Sequence, residues 1–597
     1  MEPKSSHEAP IERRARVVLL LIVGLLTLVF GGLALRLFWV QILGHERFAA
    51  IGRGMWRGSD PVFATRGDIR TRDDVIVARS VLSYEIGIDP HRLDSEAEVV
   101  GLVRTIARVL DLPAETRRDA IRRALDGYRL ERRYIRIARN VDVETKDEIV
   151  SAVRTSFSNE TLAALVRITG SRRIYPRGDL LGPVVGVTDI DGRGMEGLEL
   201  WAERYLAHLP GTREVRKDAT QKLRFYYPEN SGVSSVNGWN IELTIDSRMQ
   251  RILEEELAAG AARYKVDAGL GIVMDCRSGD ILALASWPSY DPNEFHRYPA
   301  EERARRRKNR VIENEYEPGS VIKPFVASWA LKHGLTRRDE ILWKGGITHA
   351  FEGRRRVTDA HDRGPLTKEA ALYHSSNIGL AMLGLRLGKN RLNEMLDAFG
   401  LTRPTGITLP GEAPGTRRDL RKWSELYTSV SVSFGYAVRV TPLQLCAAFN
   451  ALVNGGTLYR PRLIRRATLG SEEIVNPTEV VGYPIDADLS KDMREMLLRV
   501  VHEGTGQYLR LPGFEFGGKS GTSDIGKGYT KKDYLASFEA FAPADNPEIV
   551  VLVQMERPRG MRYYGGWVAG PVVAQVIRRW FRVEGQPRLV REGLDDT

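Results

Sequence analysis

One stretch near the N-terminus limits the fold more than any other: the uncharged apolar run VVLLLIVGLLTLVFGGLAL, residues 17–35. As a helix that rises about 1.5 Å per residue, this run spans roughly 28 Å, close to the hydrocarbon thickness of a bilayer. No small-residue cleavage site follows it; the chain continues as RLFWVQILGHERF. The sequence therefore predicts a retained transmembrane helix over residues 17–38 rather than a removed signal peptide.

The charges beside this run predict its orientation. Basic residues precede it, at Lys4, Arg13, Arg14 and Arg16. Positive charge is retained on the cytoplasmic side of a membrane helix. We therefore expect residues 1–16 to form a cytoplasmic tail, one crossing of the cytoplasmic (inner) membrane, and the rest of the chain outside it, in the periplasmic or extracytoplasmic space.

Composition excludes several classes of protein. The chain has 597 residues, enough for several domains, and only two cysteines, Cys276 and Cys446, both in apolar segments and expected to be buried thiols. The sequence contains no C-x-x-C or H-E-x-x-H pattern, and its histidines lack metal-ligand spacing. We therefore expect neither a metal nor an organic cofactor.

The formal net charge of +11 suits an anionic surface or polymer without naming it. The densest basic run is RARRRKNR, residues 303–310, and glutamates flank it on both sides. Export from the cytoplasm and these flanking acids argue against nucleic acid as a partner. A solvated surface is the favoured interpretation of the run, with contact to an anionic substrate or partner left open.

The exported part divides into two regions. Residues 39–235 mix strand-like and helical stretches, and YPENSGVSSVNGWN, residues 227–240, reads as a boundary loop. Beyond it, GLGIVMDCRSGDILALAS and ASFEAFAPADNPEIVVLVQME read as two apolar β-hairpins far apart in the chain, with helical segments between them. The pattern predicts an α+β fold in which one sheet draws strands from both ends of the region 236–590, followed by a tail, residues 591–597.

The stretch EYEPGSVIKPF contains the first candidate site. Pro318 and Pro324 bracket the start of a helix, because proline is tolerated in a first turn and not in a helix interior. Helical i, i+3 spacing then places Lys323 on the same face as Ser320. A serine oxygen beside a lysine amine is a nucleophile with a base, although an isolated S-x-x-K is more often an N-cap and a solvated lysine.

Two further signals follow in the same region. Ser375 and Asn377 precede an apolar helical stretch in LYHSSNIGLAML, where either would serve as an N-cap. FGGKSGTSD carries Lys519, Ser520, Gly521 and Thr522 after a pair of glycines, and alone it reads as a glycine-rich turn. Each signal alone is ambiguous; the three in the order S-x-x-K, S-x-N, K-[ST]-G are far more specific.

This ordered set resembles the active site of penicillin-binding proteins and serine β-lactamases. The resemblance implies a transpeptidase domain, an antiparallel sheet flanked by helices, in which Ser320 attacks a carbonyl and Lys323 accepts its proton. It further implies that Ser375 relays a proton, Asn377 holds substrate amides and Lys519 supplies positive charge. Ser520, Gly521 and Thr522 would bind the substrate carboxylate, and the backbone N–H groups of Ser320 and Thr522 would form the oxyanion hole.

The resemblance extends over most of the chain. ATRGDIRTRDDVIVARS, residues 64–80, and RIYPRGDLLGPVVGVTDIDGRGMEGLELWAERYLAHLPG, residues 173–211, resemble the pedestal (dimerisation-type) domain of class B penicillin-binding proteins. The stretches around the serine and SFGYAVRVTPLQLCAAFNALVNGGTLYRP, residues 433–461, resemble the division-type (septal) branch. Three departures are KSG in place of KTG, Ala437 in place of glycine, and Asp74 in place of glycine; the elongation-type branch stays an alternative.

The family's activity supplies the remaining expectations. Such enzymes cross-link peptidoglycan stem peptides through a serine acyl-enzyme, with release of D-Ala from a D-Ala-D-Ala donor, and are acylated by β-lactams. The resemblance also implies a SEDS-type glycan polymerase and other division proteins as partners, with Gly24, Gly31 and Gly32 as a helix contact face. The alternatives are a β-lactamase, a β-lactam sensor and a non-catalytic scaffold of the division complex.

Overall fold

The computed structural model describes residues 9–48, 57–217, 224–226, 232–352, 354–525, 533–560 and 562–583. Residues 1–8 of the predicted cytoplasmic tail, 227–231 of the predicted boundary loop and the predicted C-terminal tail, 591–597, lie outside the described residues. The chain forms two compact units, Met1–Ala64 with Leu209–Val236, and Thr65–His208 with Asn237–Thr597. The predicted domain boundaries at 38/39 and 235/236 stay predictions.

The first unit contains a long helix, α1 (Ala9–Phe38), which continues as one turn of π-helix, Trp39–Leu43. The most apolar 18-residue window within Arg14–Leu43 has a mean hydropathy of 2.8, and the apolar side chains there are exposed. By length and composition it is able to cross a membrane, and a helix satisfies its own backbone hydrogen bonds there. The predicted apolar helix is therefore present.

The same unit contains a small antiparallel sheet. Its strands are Arg57–Val62, Gly211–Lys217, Arg224–Tyr226 and Gly232–Val233, and the second of these pairs with each of the others. The first two of these strands lie about 150 residues apart in the chain. The sheet therefore joins the segment that follows the apolar helix to a distant segment.

The second unit begins with a seven-stranded sheet built from distant segments. Its order is Glu472–Val475, Ile464–Leu469, Asn240–Leu243, Ile69–Arg70, Ile76–Ile88 and Ile135–Val141, with Leu165–Ile174 also paired to Ile76–Ile88. Four helices pack near it around a shared apolar core: Glu96–Val109, Ala114–Arg129, Val143–Ser156 and Asn159–Ala164. The strand Ile76–Ile88 and the helix Glu96–Val109 are examples of the strand-like and helical stretches expected in residues 39–235.

A buried ion-pair cluster joins the two stretches that resemble a pedestal. Arg66 and Arg173 each place Nε 2.7 Å from a different carboxylate oxygen of Glu199, and Arg66 also pairs with Glu203 at 2.6 Å. Glu199 is fully buried, and the two arginines compensate the cost of burying its carboxylate. The cluster fixes the segment around Arg66 against the segments around Arg173 and Glu199.

The rest of the second unit is organised by a five-stranded sheet of β1 (Ala268–Asp275), β2 (Ile281–Trp287), β3 (Gly517–Asp524), β4 (Tyr534–Ala542) and β5 (Ile549–Glu556). The order is β2-β1-β5-β4-β3 and every pairing is antiparallel. The structure confirms both predicted hairpins. It also confirms the prediction that one sheet draws strands from distant parts of the chain. The strands are buried almost without interruption because helices cover both faces.

Six longer helices accompany this sheet: α2 (Ser247–Tyr264), α3 (Lys323–Lys332), α4 (Asn377–Ala398), α5 (Pro442–Val453), α6 (Ala487–His502) and α7 (Gly570–Phe581). Helices α2 and α7 share one apolar core with one face of the sheet. Helices α3 to α6 share another core with the opposite face. The S-x-x-K and S-x-N motifs lie at the starts of α3 and α4 on this second side, and the K-[ST]-G motif lies on strand β3 itself.

Short elements complete the unit. The helical ones are Gly182–Val185, Gly197–Trp201, Glu203–Leu206, Ala300–Arg306, Arg310–Glu313, Lys368–Tyr373, Tyr427–Ser433 and Gly565–Val568, with 3-10 turns at Pro90–Arg92, Pro292–Arg297, Gly319–Ile322, Leu420–Lys422 and Gln507–Leu509. Two-stranded pairs are Ile341–Trp343 with Leu366–Thr367, Thr348–Phe351 with Arg355–Thr358, Thr416–Arg417 with Val438–Arg439, and Leu458–Tyr459 with Val480–Gly482.

Two predictions about side chains have clear outcomes. Cys276 and Cys446 are free and buried, as expected. The basic run was expected to be solvated, and this is wrong for its last residue: Arg310 is only 6% exposed. The cause is a helical turn, Arg310–Glu313, that packs into the core through Val311 and Ile312 and takes the arginine with it.

Candidate active site

The candidate nucleophile lies on a tight turn. Ser320 belongs to the 3-10 turn Gly319–Ile322, which leads directly into α3, and the N–H of Lys323 donates to the Ser320 carbonyl. Gly319 has φ +56°, a conformation that favours glycine, and its N–H donates to the Gly435 carbonyl at 3.0 Å. The predicted helix start is present, with one 3-10 turn ahead of the α-helix.

The lysine three residues later is fully buried. Lys323 Nζ donates to Asn377 Oδ1 at 2.8 Å, to the Ser375 carbonyl at 2.6 Å and to Ser375 Oγ at 3.2 Å. Burial lowers the pKa of Lys323 to about 7, and the Asp359 carboxylate opposes this shift. The amine is thus balanced between its charged and neutral forms at neutral pH.

The second motif forms the turn at the start of α4. Ser375 has φ +61°, and the helix N-cap is Ser376, the residue between the two predicted site residues, whose Oγ accepts from the Gly379 N–H at 3.0 Å. Because Ser376 provides the cap, the side chains of Ser375 and Asn377 are free to contact Lys323. Asn377 Nδ2 also donates to the Thr358 carbonyl at 2.9 Å.

The third motif lies on strand β3. Lys519 is fully buried and its Nζ donates to Ser375 Oγ and to the Ser520 carbonyl, each at 2.9 Å. Burial and, secondarily, the charge of Lys323 lower its pKa well below the ordinary value. Ser520 Oγ lies 2.8 Å from Thr505 Oγ1, and Thr522 Oγ1 accepts from the Gly565 N–H at 3.0 Å.

Glycine lets this strand approach the nucleophile turn. A Cβ on Gly521 would lie 2.4 Å from a methyl group of Val321 and 2.5 Å from Ser537 Oγ. The next residues continue the contact, since Ser523 Oγ donates to the Glu317 carbonyl at 2.6 Å. The K-[ST]-G glycine is therefore required by close packing between strand β3 and the turn that carries Ser320.

The structure brings Lys323, Ser375, Asn377 and Lys519 into one hydrogen-bonded network and places Ser320 on the adjacent turn. Two lysines with lowered pKa values on one serine hydroxyl can pass a proton between them through that hydroxyl. The residue range described by the structure contains no group of three or more His, Cys, Asp or Glu side chains arranged to hold a metal ion.

Asp359 is a site residue that the sequence motifs did not reveal. Its carboxylate accepts from Ser376 Oγ and from the N–H groups of Asn377 and Ile378, the last at 3.1 Å, and it is largely buried. It thereby holds the turn that presents Ser375 and Asn377. No local pattern marks it, because its partners lie on another element.

Comparison with known proteins agrees with this geometry. The family described as penicillin binding protein transpeptidase domain matches residues 269–578, and that described as penicillin-binding protein dimerisation domain matches residues 61–243. The chain belongs to the penicillin-binding protein transpeptidase family. The two domains together are those of the class B members of that family.

Individual relatives cover nearly the whole chain. The chain is 28% identical over 582 residues to a protein of Neisseria meningitidis serogroup A named probable peptidoglycan D,D-transpeptidase PenA, covering 97% of this chain and 94% of that one. It is 29% identical to the peptidoglycan D,D-transpeptidase FtsI of Escherichia coli K12, covering 93% and 90%. A peptidoglycan synthetase structure from Bifidobacterium adolescentis superposes with a TM-score of 0.68 at 23% identity, over 90% of this chain and 98% of that one, which shows the shared fold.

Two departures from the family's sequence pattern keep the backbone that glycine favours. Ala437 has φ +62° and Asp74 has φ +61°, both in the left-handed region. The Ala437 N–H donates to Glu317 Oε1 at 2.9 Å, just before the nucleophile turn. The substitutions therefore change the side chain while the local conformation is maintained.

Proposed function

We propose that this chain is a membrane-anchored peptidoglycan D,D-transpeptidase that works through an acyl-enzyme on Ser320. The observation that carries the proposal is the Ser375 hydroxyl, which lies 3.2 Å from Lys323 Nζ and 2.9 Å from Lys519 Nζ beside the turn of Ser320. A nucleophile needs a base and a leaving amine needs an acid, and this shared hydroxyl connects two groups that are able to fill these roles.

In the first half-reaction, Ser320 Oγ attacks the carbonyl between the two D-Ala residues while neutral Lys323 takes the hydroxyl proton. The backbone N–H groups of Ser320 and Thr522 stabilise the resulting oxyanion, each donor contributing about 3 kcal/mol in comparable sites. The C–N bond then breaks, and Ser375 passes a proton from the lysine pair to the departing amine of the terminal D-Ala. An ester on Ser320 remains.

In the second half-reaction, the amine of a neighbouring stem peptide attacks that ester. The same groups run in reverse: the proton of the incoming amine passes through Ser375 and Lys323 back to the Ser320 oxygen as the C–O bond breaks. The products are a cross-linking amide and the free enzyme. Asn377 holds substrate amides, while Ser520, Gly521 and Thr522 receive the D-Ala carboxylate beside the amine of Lys519.

The cellular proposal follows the sequence resemblance. Residues 1–16 face the cytoplasm, residues 17–38 cross the inner membrane, and residues 39–235 and 236–590 form the pedestal and transpeptidase domains outside it. The role is septal synthesis with a SEDS-type polymerase and other division proteins, and elongation-type synthesis is the alternative. Depletion should give filaments for a septal role and rounded cells for an elongation role.

The activity is tested with a pentapeptide donor ending in D-Ala-D-Ala and an amine acceptor. We expect release of D-Ala together with a donor–acceptor amide, both absent in Ser320→Ala. Release of D-Ala without the amide would indicate a carboxypeptidase. Rapid hydrolysis of benzylpenicillin would indicate a β-lactamase, and failure of every reaction in a folded, partner-bound protein would indicate a scaffold.

A further inference from the structure

A second site lies at the ends of strands β1, β2 and β5. It is a cavity of about 700 Å³, and the half-buried ring of Trp287 forms part of its wall. Three separate chain segments supply its cations: Lys265, Arg305, Arg310, Arg557 and Arg559. Arg305 lies within the basic run of residues 303–310, and Arg310 is the last residue of that run. The proposed chemistry does not use this run.

Arg310 is the most constrained of these cations. Its side chain is only 6% exposed, its Nη2 donates to the Arg305 carbonyl at 3.1 Å, and its Nη1 has no hydrogen-bond partner among the described residues. Burial lowers the pKa of the Arg310 guanidinium, and the charge of Glu556 opposes the shift. A buried guanidinium with an unused donor is costly unless an anion satisfies it.

The carboxylates of the cavity are already engaged. Asp267 accepts from Arg559 at 2.8 Å and lies 3.7 Å from Arg557, and Glu556 accepts from Asn314 Nδ2 at 3.1 Å. Among the described residues, Arg305 makes only long contacts, 3.8 Å to Glu302 and 3.4 Å to the Asp267 carbonyl. Positive charge therefore exceeds negative charge around the cavity, and two guanidinium groups have donors to spare.

The strand register relates this cavity to the catalytic strand. Ser523 lies opposite Leu535, Leu535 opposite Glu556, and Glu556 opposite Ala268. Three interstrand spacings amount to about 14 Å, which is the length of about four residues of extended chain. The cavity is thus at the same end of the sheet as Ser523, within reach of a peptide that leaves the site along the strand ends.

We propose that this cavity binds an oxyanion of the peptidoglycan substrate at a distance from the bond that reacts. The inference rests on the proposed function and adds a second recognition point to it. Arg305 and Arg310 bind the anion, Arg559 adds charge, and Trp287 packs against the attached sugar or peptide. A stem-peptide carboxylate and a phosphate of a lipid-linked precursor share this chemistry.

The test is calorimetric titration of the full-length protein in detergent with two probes. Muramyl tripeptide carries the carboxylates but lacks the D-Ala-D-Ala end, and inorganic pyrophosphate represents the phosphate source. Two variants remove cations of the cavity: Arg310→Gln, and the double variant Arg305→Gln/Arg559→Gln. The double variant changes largely exposed positions, so it should not impair folding. Arg303→Gln is the matched control, since it removes a charge from the same run outside the cavity lining.

We expect the double variant to weaken binding about tenfold and the control to bind within about twofold of the parent, because each partly exposed charge contributes modestly. Binding of the tripeptide assigns the carboxylate source, and binding of pyrophosphate alone assigns the phosphate source. No binding of either probe, or equal binding by all variants, would overturn the inference. Acylation of Ser320 by benzylpenicillin, measured on the same samples, reports the proposed function separately.

Discussion

Lys323 and Lys519 share one hydroxyl group: their side-chain nitrogens lie 3.2 and 2.9 Å from Oγ of Ser375. Both amines are fully buried, and burial lowers both pKa values. Two ammonium groups on one hydroxyl repel each other in a low-dielectric site, so the neutral form of one is favoured. One of the two amines is therefore suited to act as a base and the other as an acid, although both belong to lysines.

The first prediction concerns the pH dependence of acylation. A Lys323 pKa of about 7 means that the neutral base accumulates as pH rises through 7. We expect the second-order rate constant for a fluorescent penicillin to rise about tenfold per pH unit below that value and to level off above it. Lys323→Arg, whose guanidinium stays protonated, should lose about 100-fold or more. A flat profile between pH 5.5 and 8.5 would contradict the assignment of the base.

The second prediction separates two adjacent serines. Ser375→Ala removes the hydroxyl that joins the lysines and should slow acylation about 100- to 10,000-fold with little change in stability. Ser376→Ala removes the helix cap and a hydrogen bond to Asp359, so it should lower the free energy of unfolding by about 1–2 kcal/mol. The folded Ser376 variant should still be acylated. Equal losses of acylation in both variants would argue against a relay through Ser375.

The third prediction uses two backbone positions that contact the turn carrying Ser320 or the residues just before it. Ala437 occupies a left-handed conformation, so Ala437→Gly should raise the free energy of unfolding by about 0.5–1 kcal/mol. Gly435→Ala should do the reverse, since its Cβ would lie 2.0 Å from the Gly319 carbonyl oxygen. We expect it to displace the nucleophile turn and to lose acylation as well as stability. Thermal unfolding and penicillin acylation of both variants check the pair.

Local patterns in the sequence predicted much of this architecture. The apolar run, the two hairpins and the S-x-x-K spacing are short-range signals, because a helix or hairpin brings neighbouring residues together whatever surrounds it. The prediction that Ser320 starts a helix with Lys323 one turn on needed only two prolines and a glycine. These features are present at Gly319–Ile322 and in α3.

What the sequence did not predict depends on contacts between distant elements. Asp359 holds the Ser375 turn although no motif contains it, and Arg310 is buried although it closes a basic run. Glu539 alternates with apolar residues along β4, a pattern typical of a solvent face, yet helices cover that face and bury it fully. Burial of such side chains follows from the packing of layers, which a local pattern does not encode.

The fourth prediction concerns Glu539, whose two carboxylate oxygens have no hydrogen-bond partner among the described residues. Burial raises its pKa well above the ordinary value, so the folded protein keeps a proton that the unfolded chain releases above about pH 4.5. The unfolded state then binds fewer protons, and stability falls as pH rises, by up to about 1.4 kcal/mol per unit.

Glu539→Gln removes this titration. We therefore expect the variant to be more stable than the parent at pH 8, by a margin that shrinks toward pH 5. Denaturant unfolding at several pH values measures the difference. The exposed Glu548→Gln on the neighbouring loop is the control and should follow the parent. A stability difference that does not change with pH would show that Glu539 is ionised in the folded protein.

Ser320 is the residue on which we propose that a stable acyl-enzyme forms. The most direct test is intact-protein mass spectrometry of the full-length chain with excess benzylpenicillin, followed by mapping of the modified peptide. We expect one long-lived adduct on the peptide that contains Ser320, and none in a folded Ser320→Ala variant. An adduct that persists in Ser320→Ala, or no adduct in a folded parent, would contradict it.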